Sequence, residues 1–280
     1  MTETGEPRGR LSCIFGRNLI QWVYKEVICM KQHIDTAPIW ESYRQDCECP
    51  LCLLNAKVEA QNVDYFLGES VMEPSQRIEV NKKGFCADHF KMMYAAGNRL
   101  GLALMTHTYM KESMKALRES AQRARDAAAA EAGKPIFKRI GSGKGAGLAE
   151  VAGEVRRFET TCLMCERIAE SMERYMYTVL YMYKHEAEFP KLFAESKGMC
   201  LHHYAQALEM APKHLSGDLL KKFVDTLTDV EMKSFERLEG EIEWFTNKFD
   251  YRNQDKPWGN SRDAVKRSVN KLGHQVVTDD

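Results

Sequence analysis

The chain has 280 residues, of which 44% are hydrophobic and 29% are charged, and its formal net charge is +0. This length gives room for one large or two ordinary domains, and the composition is typical of a soluble globular protein. A neutral chain has no global electrostatic field that favours nucleic acid or membrane, and no stretch approaches the roughly 20 apolar residues of a membrane-spanning helix.

The N-terminal region and the cysteine count indicate the compartment. Nine cysteines are an odd number, and no convincing secretion signal precedes them, because Arg17 and Lys25 interrupt the apolar runs. Both features argue against a disulfide framework and predict a cytoplasmic protein. Residues 1–29 are predicted to be a disordered leader, with a docking helix over 14–27 as the alternative.

After the leader the pattern predicts helices and almost no sheet, because no run alternates apolar and polar residues with β-branched side chains. Cys49 is predicted to cap a first helix that starts at Pro50, since proline suits the first helical position. Gly68–Asn81 is predicted to connect this helix to a second one, which begins near Cys86 and stops at Gly133.

Residues 133–149 are predicted to be a flexible, glycine-rich linker, because they lack the sequence ending and the preceding strand of a phosphate-binding loop. One helix is predicted from about Val151 to Lys184, and a connection over Lys184–Ser196 leads to a helix that starts near Cys200. Beyond it, apolar residues spaced by threes and fours predict a long C-terminal amphipathic helix that Ser216 can cap.

Two eight-residue stretches, 83–90 and 197–204, share the pattern Lys-Gly-apolar-Cys-x-x-His-aromatic, and each follows a Cys-x-x-Cys pair. The interval from Cys52 to Cys86 is 34 residues (86 − 52), and that from Cys165 to Cys200 is 35 (200 − 165). Such self-similarity predicts two copies of one module.

We therefore predict an all-α fold of two repeated helical modules, each held by a Cys₃His metal site, plus a long C-terminal helix. In chain order the predicted parts are the leader 1–29, module one 30–132, the linker 133–149 and module two 150–280.

The repeated cysteines and histidines predict two zinc ions per chain. Ligands three residues apart on a helix share one face, with Cβ atoms about 5–6 Å apart, so each pair can span an edge of a zinc tetrahedron. Helix N-termini also favour the thiolate form of cysteine. The predicted ligands are Cys49, Cys52, Cys86 and His89 in module one and Cys162, Cys165, Cys200 and His203 in module two.

Other interpretations of these residues remain open at this point. The cysteines could be packing residues, or they could hold an iron–sulfur cluster in place of zinc. Cys47 is close enough to replace Cys49, and His202 could replace His203, although only Cys49 and His203 fit the repeated spacing.

Several short stretches carry a resemblance to a known family: Asp46–Cys52, Tyr65–Gly68, Met72–Pro74, Lys83–Phe90 and Asn98–Leu104. From Met30 onward the chain resembles a family of uncharacterised bacterial proteins that is defined only as a domain of unknown function. The resemblance implies a bacterial, cytosolic, helical protein, and it implies no activity.

Closed four-ligand sites favour a structural role, because a catalytic zinc keeps an open coordination position. No Ser/His/Asp set is recognisable either, so the sequence favours a protein that is not an enzyme. We expect a zinc-stabilised scaffold or adaptor that binds a macromolecular partner, in the first place a protein. Nucleic acid and membrane are not indicated as partners, and a homo-oligomer is left open. The alternative is an iron–sulfur or redox-sensing protein, or an enzyme that uses the Cys₃His sites.

Overall fold

The structure is a computed structural model that describes residues 36–133 and 145–274, and these residues form helices without any strand. The all-α prediction is therefore confirmed for this part of the chain. No described helix combines the length and the apolar character needed to cross a membrane. The predictions for the leader 1–29 and for residues 134–144 of the linker lie outside the described residues.

The described residues contain eleven α-helices, α1 to α11. Their bounds are 36–43 for the described part of α1, Pro50–Leu67 (α2), Pro74–Lys83 (α3), Ala87–Ala95 (α4), Arg99–Ala132 (α5), Ala146–Thr160 (α6), Leu163–His185 (α7), Phe189–Glu195 (α8), Leu201–His214 (α9), Gly217–Asn247 (α10) and Ala264–Gly273 (α11). Short 3₁₀ helices lie at Glu69–Met72, Tyr251–Asn253 and Gly259–Ser261.

The chain divides into two compact units that interleave along the sequence. Among the described residues, unit 1 combines the chain up to Leu54 with the chain from Arg174 onward, and unit 2 comprises those from Asn55 to Glu173. Both boundaries fall inside helices, the first in α2 and the second in α7. The compact units therefore divide the chain at other places than the linear modules 30–132 and 150–280.

An aromatic cluster forms much of the core of unit 1. Phe193 and Phe223 are buried with their ring centroids 5.5 Å apart, and Phe189 meets Tyr43 edge-on at 5.1 Å. Each such burial stabilises the fold by about 1.5–3 kcal/mol. The cluster packs α8 against α10 and thereby positions the turn after α8, which carries Cys200.

Unit 2 has its own aromatic core next to the turn that carries Cys86 and His89. Phe66 is fully buried, and its ring lies 5.1 Å from that of Phe85, which in turn meets Phe90 at 5.6 Å. Phe85 directly precedes Cys86, so packing of the aromatic residues fixes the backbone at the start of α4.

Two segments that were predicted to be connections are helical, so those predictions are wrong. Gly68–Asn81 contains a 3₁₀ helix and most of α3, and Lys184–Ser196 contains α8. Pro74 and Pro190 stand in the first turn of these helices. Proline fits there because the N–H that it lacks would have no partner in the helix, so each proline starts a helix here.

The helix predicted from Val151 to Lys184 is in fact two helices, α6 and α7. They separate at Thr161, whose hydroxyl donates a 2.7 Å hydrogen bond to the carbonyl of Lys83. This contact ends α6 and leaves Cys162 at the N-terminus of α7.

The helix predicted to follow Cys86 is also two helices, α4 and α5. Gly97 lies between them with a φ of 88°, and Asn98 caps α5 by accepting the backbone N–H of Gly101 at 3.0 Å. The end of α5 just before Gly133 and the long C-terminal helix α10 after Ser216 agree with the sequence.

Candidate metal centres

Four helices, α2, α4, α7 and α9, each begin with a pair of potential metal ligands. Cys86 and Cys200 are the N-cap residues of α4 and α9, and Cys49 and Cys162 directly precede α2 and α7. The second ligand of each pair follows three residues later, so both ligands lie at the positive end of the helix dipole. This environment favours thiolates.

Site 1 lies within unit 1 and consists of Cys49, Cys52, Cys200 and His203, all of which are buried. The Nδ1 atom of His203 lies 3.4 Å, 3.6 Å and 3.2 Å from the Sγ atoms of Cys49, Cys52 and Cys200, respectively. The sulfurs of Cys52 and Cys200 are 3.5 Å apart.

Site 2 lies within unit 2 and consists of Cys86, His89, Cys162 and Cys165. The Nδ1 atom of His89 lies 3.2 Å, 3.3 Å and 3.4 Å from the sulfurs of Cys86, Cys162 and Cys165, respectively, and the Cys86 and Cys165 sulfurs are 3.8 Å apart. This site is more open than site 1, because Cys165 is exposed and Cys86 is only half-buried.

Both groups have the dimensions of a metal-binding tetrahedron. Bonds of about 2.3 Å to sulfur and about 2.0–2.1 Å to nitrogen give tetrahedral edges of roughly 3.8 Å between sulfurs and roughly 3.6 Å between sulfur and nitrogen. The distances in both sites lie close to these values, so each group could hold one metal ion. Backbone N–H groups of Cys52 and Cys165 add 3.4 Å hydrogen bonds to the sulfurs of Cys49 and Cys162.

The pKa values of the ligands diverge within site 2. Burial raises the pKa of Cys162, but hydrogen bonds from His89 and from the backbone N–H of Cys165 outweigh it, and this pKa falls to about 6. Burial lowers the pKa of His89, whereas contacts with Cys162 and Glu59 raise it to about 10. A thiolate therefore faces an imidazolium, and a metal that binds here displaces the proton from Nδ1 of His89.

Site 1 shows the same divergence among its thiols. Hydrogen bonds from Cys49 and Cys52 hold the pKa of Cys200 far below the usual range of a thiol. Burial raises the pKa of Cys49. Cys200 is thus the thiol of site 1 that loses its proton most readily. It is the N-cap of α9, where the helix dipole lowers its pKa further.

A carboxylate orients the histidine of site 2. The Nε2 atom of His89 lies 3.1 Å from Oε1 of Glu59 on α2. Once a metal has displaced the proton from Nδ1, donation of the Nε2–H to this carboxylate keeps the Nδ1 lone pair directed at the metal.

A buried ion pair supports site 1 from α10 and α11. Lys271 and Glu231 are both fully buried, and their charged atoms are 3.1 Å apart. Lys271 also donates to the backbone carbonyls of Glu48 (3.3 Å) and Lys197 (2.6 Å), and Glu231 accepts the backbone N–H of Met199. These three backbone positions flank the two ligand pairs of site 1, so one lysine and one glutamate hold both ligand-bearing turns.

The structure places all of the predicted ligands in the two sites but corrects which pairs share a site. Each Cys-x-x-Cys pair joins the Cys-x-x-His pair of the other linear module. The physical reason is the rigidity of α2. The α2 helix is continuous from Pro50 to Leu67, so the chain cannot turn back on Cys49 within it, and it crosses at Asn55 into unit 2, which contains Cys86 and His89.

Two residues that were considered as substitutes lie outside the four-donor groups. The sulfur of Cys47 contacts the carbonyl oxygen of Ser42 at 3.9 Å, and it belongs to neither site. His202 stacks on the ring of His274 with a centroid distance of 4.0 Å, next to site 1. The repeated pattern does not point to His274, because module one contains no counterpart of it.

The family model described as "Family of unknown function (DUF6062)" matches residues 30–279. The chain belongs to this family. The match begins at Met30, as the resemblance predicted, and it includes both ligand sets. The chain matches no curated protein and no solved structure.

Proposed function

We propose that this protein is a zinc-stabilised, cytoplasmic helical scaffold that binds a macromolecular partner and performs no catalysis. One observation carries the proposal: each site offers four protein donors in a tetrahedral arrangement. Three thiol groups and one imidazole surround each centre at tetrahedral distances, and they come from two helix N-termini. Four protein ligands are typical of structural zinc, whereas catalytic zinc keeps a position for water or substrate.

The donor set supports zinc as the metal and the cytoplasm as the compartment. Three soft sulfur ligands with one imidazole form a common structural zinc set and are unsuited to magnesium or calcium. The seven cysteines of the described residues are all free thiols. Thiols persist in this form in a reducing compartment.

A metal in either site would connect segments that are distant along the chain. In site 1 the adjacent sulfurs of Cys52 and Cys200 are 148 residues apart in sequence. Structural zinc contributes about 10–16 kcal/mol in small modules. Because both units also have aromatic cores, we expect metal removal to weaken the fold without abolishing it.

Exposed aromatic side chains support a protein as the partner. Phe249 and Tyr251 follow α10 and are 72% and 80% exposed. Aromatic residues are enriched in protein–protein interfaces.

Metal analysis and thermal unfolding test the structural proposal. Protein purified without added metal should contain two zinc ions per chain. Chelation should lower the melting temperature by about 10 °C or more, since each kcal/mol corresponds to a few degrees in a chain of this size. Readdition of zinc should restore it. Protein with no bound metal, or a melting temperature that chelation leaves unchanged, would contradict the proposal.

The second candidate is an iron–sulfur or redox-sensing protein, and the exposure of Cys165 favours it, because an exposed thiolate is open to oxidation. Anaerobic purification separates the two candidates. A colourless zinc protein supports the scaffold, and a brown protein that contains iron and loses its colour in air supports the second candidate.

A further inference from the structure

Site 1 has a fifth potential donor close by, and the described residues include no equivalent at site 2. The Nδ1 atom of His274 lies 3.7 Å from the sulfur of Cys200 and 3.9 Å from the sulfur of Cys52. Its ring stands at 78° to that of His203, with 4.8 Å between the centroids. His274 forms a separate group with His202 and His203, whose nitrogen donors all lie within 4.8 Å of one another, and within the described residues no such group adjoins site 2.

The backbone holds His274 in an unusual conformation to reach this place. Its φ of 57° and ψ of 33° put it in the left-handed region, and it is the one residue other than glycine with positive φ in the described chain. A residue with a Cβ adopts this conformation at a cost, so the surrounding contacts must enforce it. His274 is the C-cap of α11, where a left-handed residue commonly ends a helix, and this ending sets the direction of its ring.

Two contacts enforce the position of His274. Its ring stacks on His202, the neighbour of the ligand His203, at 4.0 Å. Three residues earlier, the fully buried Lys271 ties the end of α11 to the carbonyls of Glu48 and Lys197 beside the ligand pairs. The imidazole is therefore fixed at the edge of site 1 by the same element that supports the site.

Cys52 is the thiolate that His274 is placed to replace. Cys52 and Cys49 line a cavity of about 550 Å³, whereas Cys200 is fully buried and does not line it. Of the two thiolates near His274, the one of Cys52 is thus the one with a neighbouring space into which it can turn.

We propose that His274 is a reserve ligand of site 1, which retains the metal when Cys52 leaves; this inference rests on the proposed zinc-binding function. In the exchange, the bond between zinc and the Cys52 sulfur breaks and the released thiolate takes a proton from water. A new bond forms between zinc and the neutral Nδ1 of His274. The ligand set changes from three thiolates and one imidazole to two thiolates and two imidazoles, which is also a common zinc set.

Zinc content per chain, measured by mass spectrometry after gel filtration, tests the proposal with matched variants. Cys52→Ala should retain two zinc ions, and the double variant Cys52→Ala/His274→Ala should retain one. Cys165 occupies the same position in α7 as Cys52 does in α2. Its substitution, Cys165→Ala, should therefore leave one zinc ion, because the described residues offer site 2 no reserve ligand.

A glycine at position 274 separates ligation from a purely structural role. Glycine adopts positive φ without strain, so Cys52→Ala/His274→Gly removes the imidazole without straining the backbone at the end of α11. If position 274 matters only for the backbone conformation at the end of α11, this variant keeps two zinc ions, and that result would overturn the proposal. If His274 is a ligand, the variant keeps one.

A second measurement does not depend on the folding of the cysteine variants. His274→Ala alone should keep two zinc ions but release one of them to a competing chelator about tenfold faster than the unaltered protein. Unchanged release kinetics, or a Cys52→Ala protein that already holds a single zinc ion, would refute the reserve ligand alone. An unaltered protein that binds no zinc would refute the proposed function and the inference together.

Discussion

The glycine of each Lys-Gly-apolar-Cys stretch is required by the backbone and by the space around it. Gly84 and Gly198 have φ angles of 65° and 75°, and each precedes a cysteine ligand by two residues. A Cβ on Gly198 would lie 2.6 Å from Oε1 of Glu231, and one on Gly84 would clash with the ring of Tyr109. The glycines thus let the two turns pass close to their supporting side chains.

Gly198→Ala is therefore expected to destabilise the protein by about 1–3 kcal/mol, because alanine is strained at positive φ and meets the Glu231 carboxylate. Urea unfolding of the metal-loaded protein measures this loss. Gly240→Ala is the matched control in α10, where a Cβ meets nothing within 4 Å, and it should stabilise the protein by about 0.5–1 kcal/mol. Equal stability of both variants would show that the turn at Gly198 is not constrained.

Among the residues, the sequence was enough to predict the cysteine and histidine pairs as candidate ligands, because the relevant geometry is local. A cysteine and a second ligand three residues later lie on one face wherever a helix starts, so Cys49 with Cys52 could be recognised without the fold. The contribution of His274 could not be recognised, since it depends on where the end of α11 lies. The same holds for Glu59, which stands on α2 and contacts His89 on α4.

Among the elements, α11 stabilises site 1 through a single buried lysine. Lys271 has no exposed surface, and its ammonium group contacts the Glu231 carboxylate and two backbone carbonyls. The sequence offered no sign of this role, because α11 looks like an ordinary short terminal helix. A lysine on a helix is usually solvated, and only the packing of α11 against α9 and α10 buries this one.

Lys271→Met should cost about 3–5 kcal/mol of stability, because it leaves the Glu231 carboxylate buried without its partner. The double variant Lys271→Met/Glu231→Gln should recover part of this loss, since a neutral amide can still accept the backbone N–H of Met199. A double-mutant cycle from denaturant unfolding gives the coupling free energy.

The control for this cycle is an exposed ion pair on α10. Lys221 pairs with Asp225, and both side chains are more than half exposed. Lys221→Met should change stability by less than about 0.5 kcal/mol. If Lys271→Met were equally mild, α11 would have no supporting role at site 1.

Elements also show where local sequence signals are ambiguous. Proline marks both turns and helix starts, and Pro74 and Pro190 start helices where the sequence analysis predicted connections. The break between α6 and α7 is set by the contact of Thr161 with the carbonyl of Lys83, 78 residues away in sequence. A contact of that range leaves no trace in the local pattern.

For the whole molecule, the exchange of ligand pairs between linear modules explains the interleaved units. Each site is built entirely within one unit, although its two ligand pairs lie far apart in the chain. The repeat in sequence indicated two copies of a ligand set, but it did not indicate which copies meet. Which pairs meet depends on α2 and α7. The α2 helix begins beside site 1 and ends in unit 2, and the α7 helix begins beside site 2 and ends in unit 1.

Paired cysteine substitutions test this connectivity directly. Cys86→Ser/Cys162→Ser removes two ligands of site 2 and should leave one zinc ion per chain. Cys49→Ser/Cys200→Ser removes two ligands of site 1 and should also leave one, because too few donors remain there even with His274. If ligands were instead shared along the linear modules, each of these variants would damage both sites and retain no zinc.

The reciprocal variant gives the opposite expectation. Cys49→Ser/Cys52→Ser/Cys86→Ser removes two ligands from site 1 and one from site 2, and because Cys86 has no reserve donor among the described residues, this protein should bind no zinc. Linear pairing would place all three substitutions in one module and leave one zinc ion. Mass spectrometry of the native proteins distinguishes none from one ion per chain. Retention of one zinc ion here, with none in the two paired variants, would refute the interleaved arrangement.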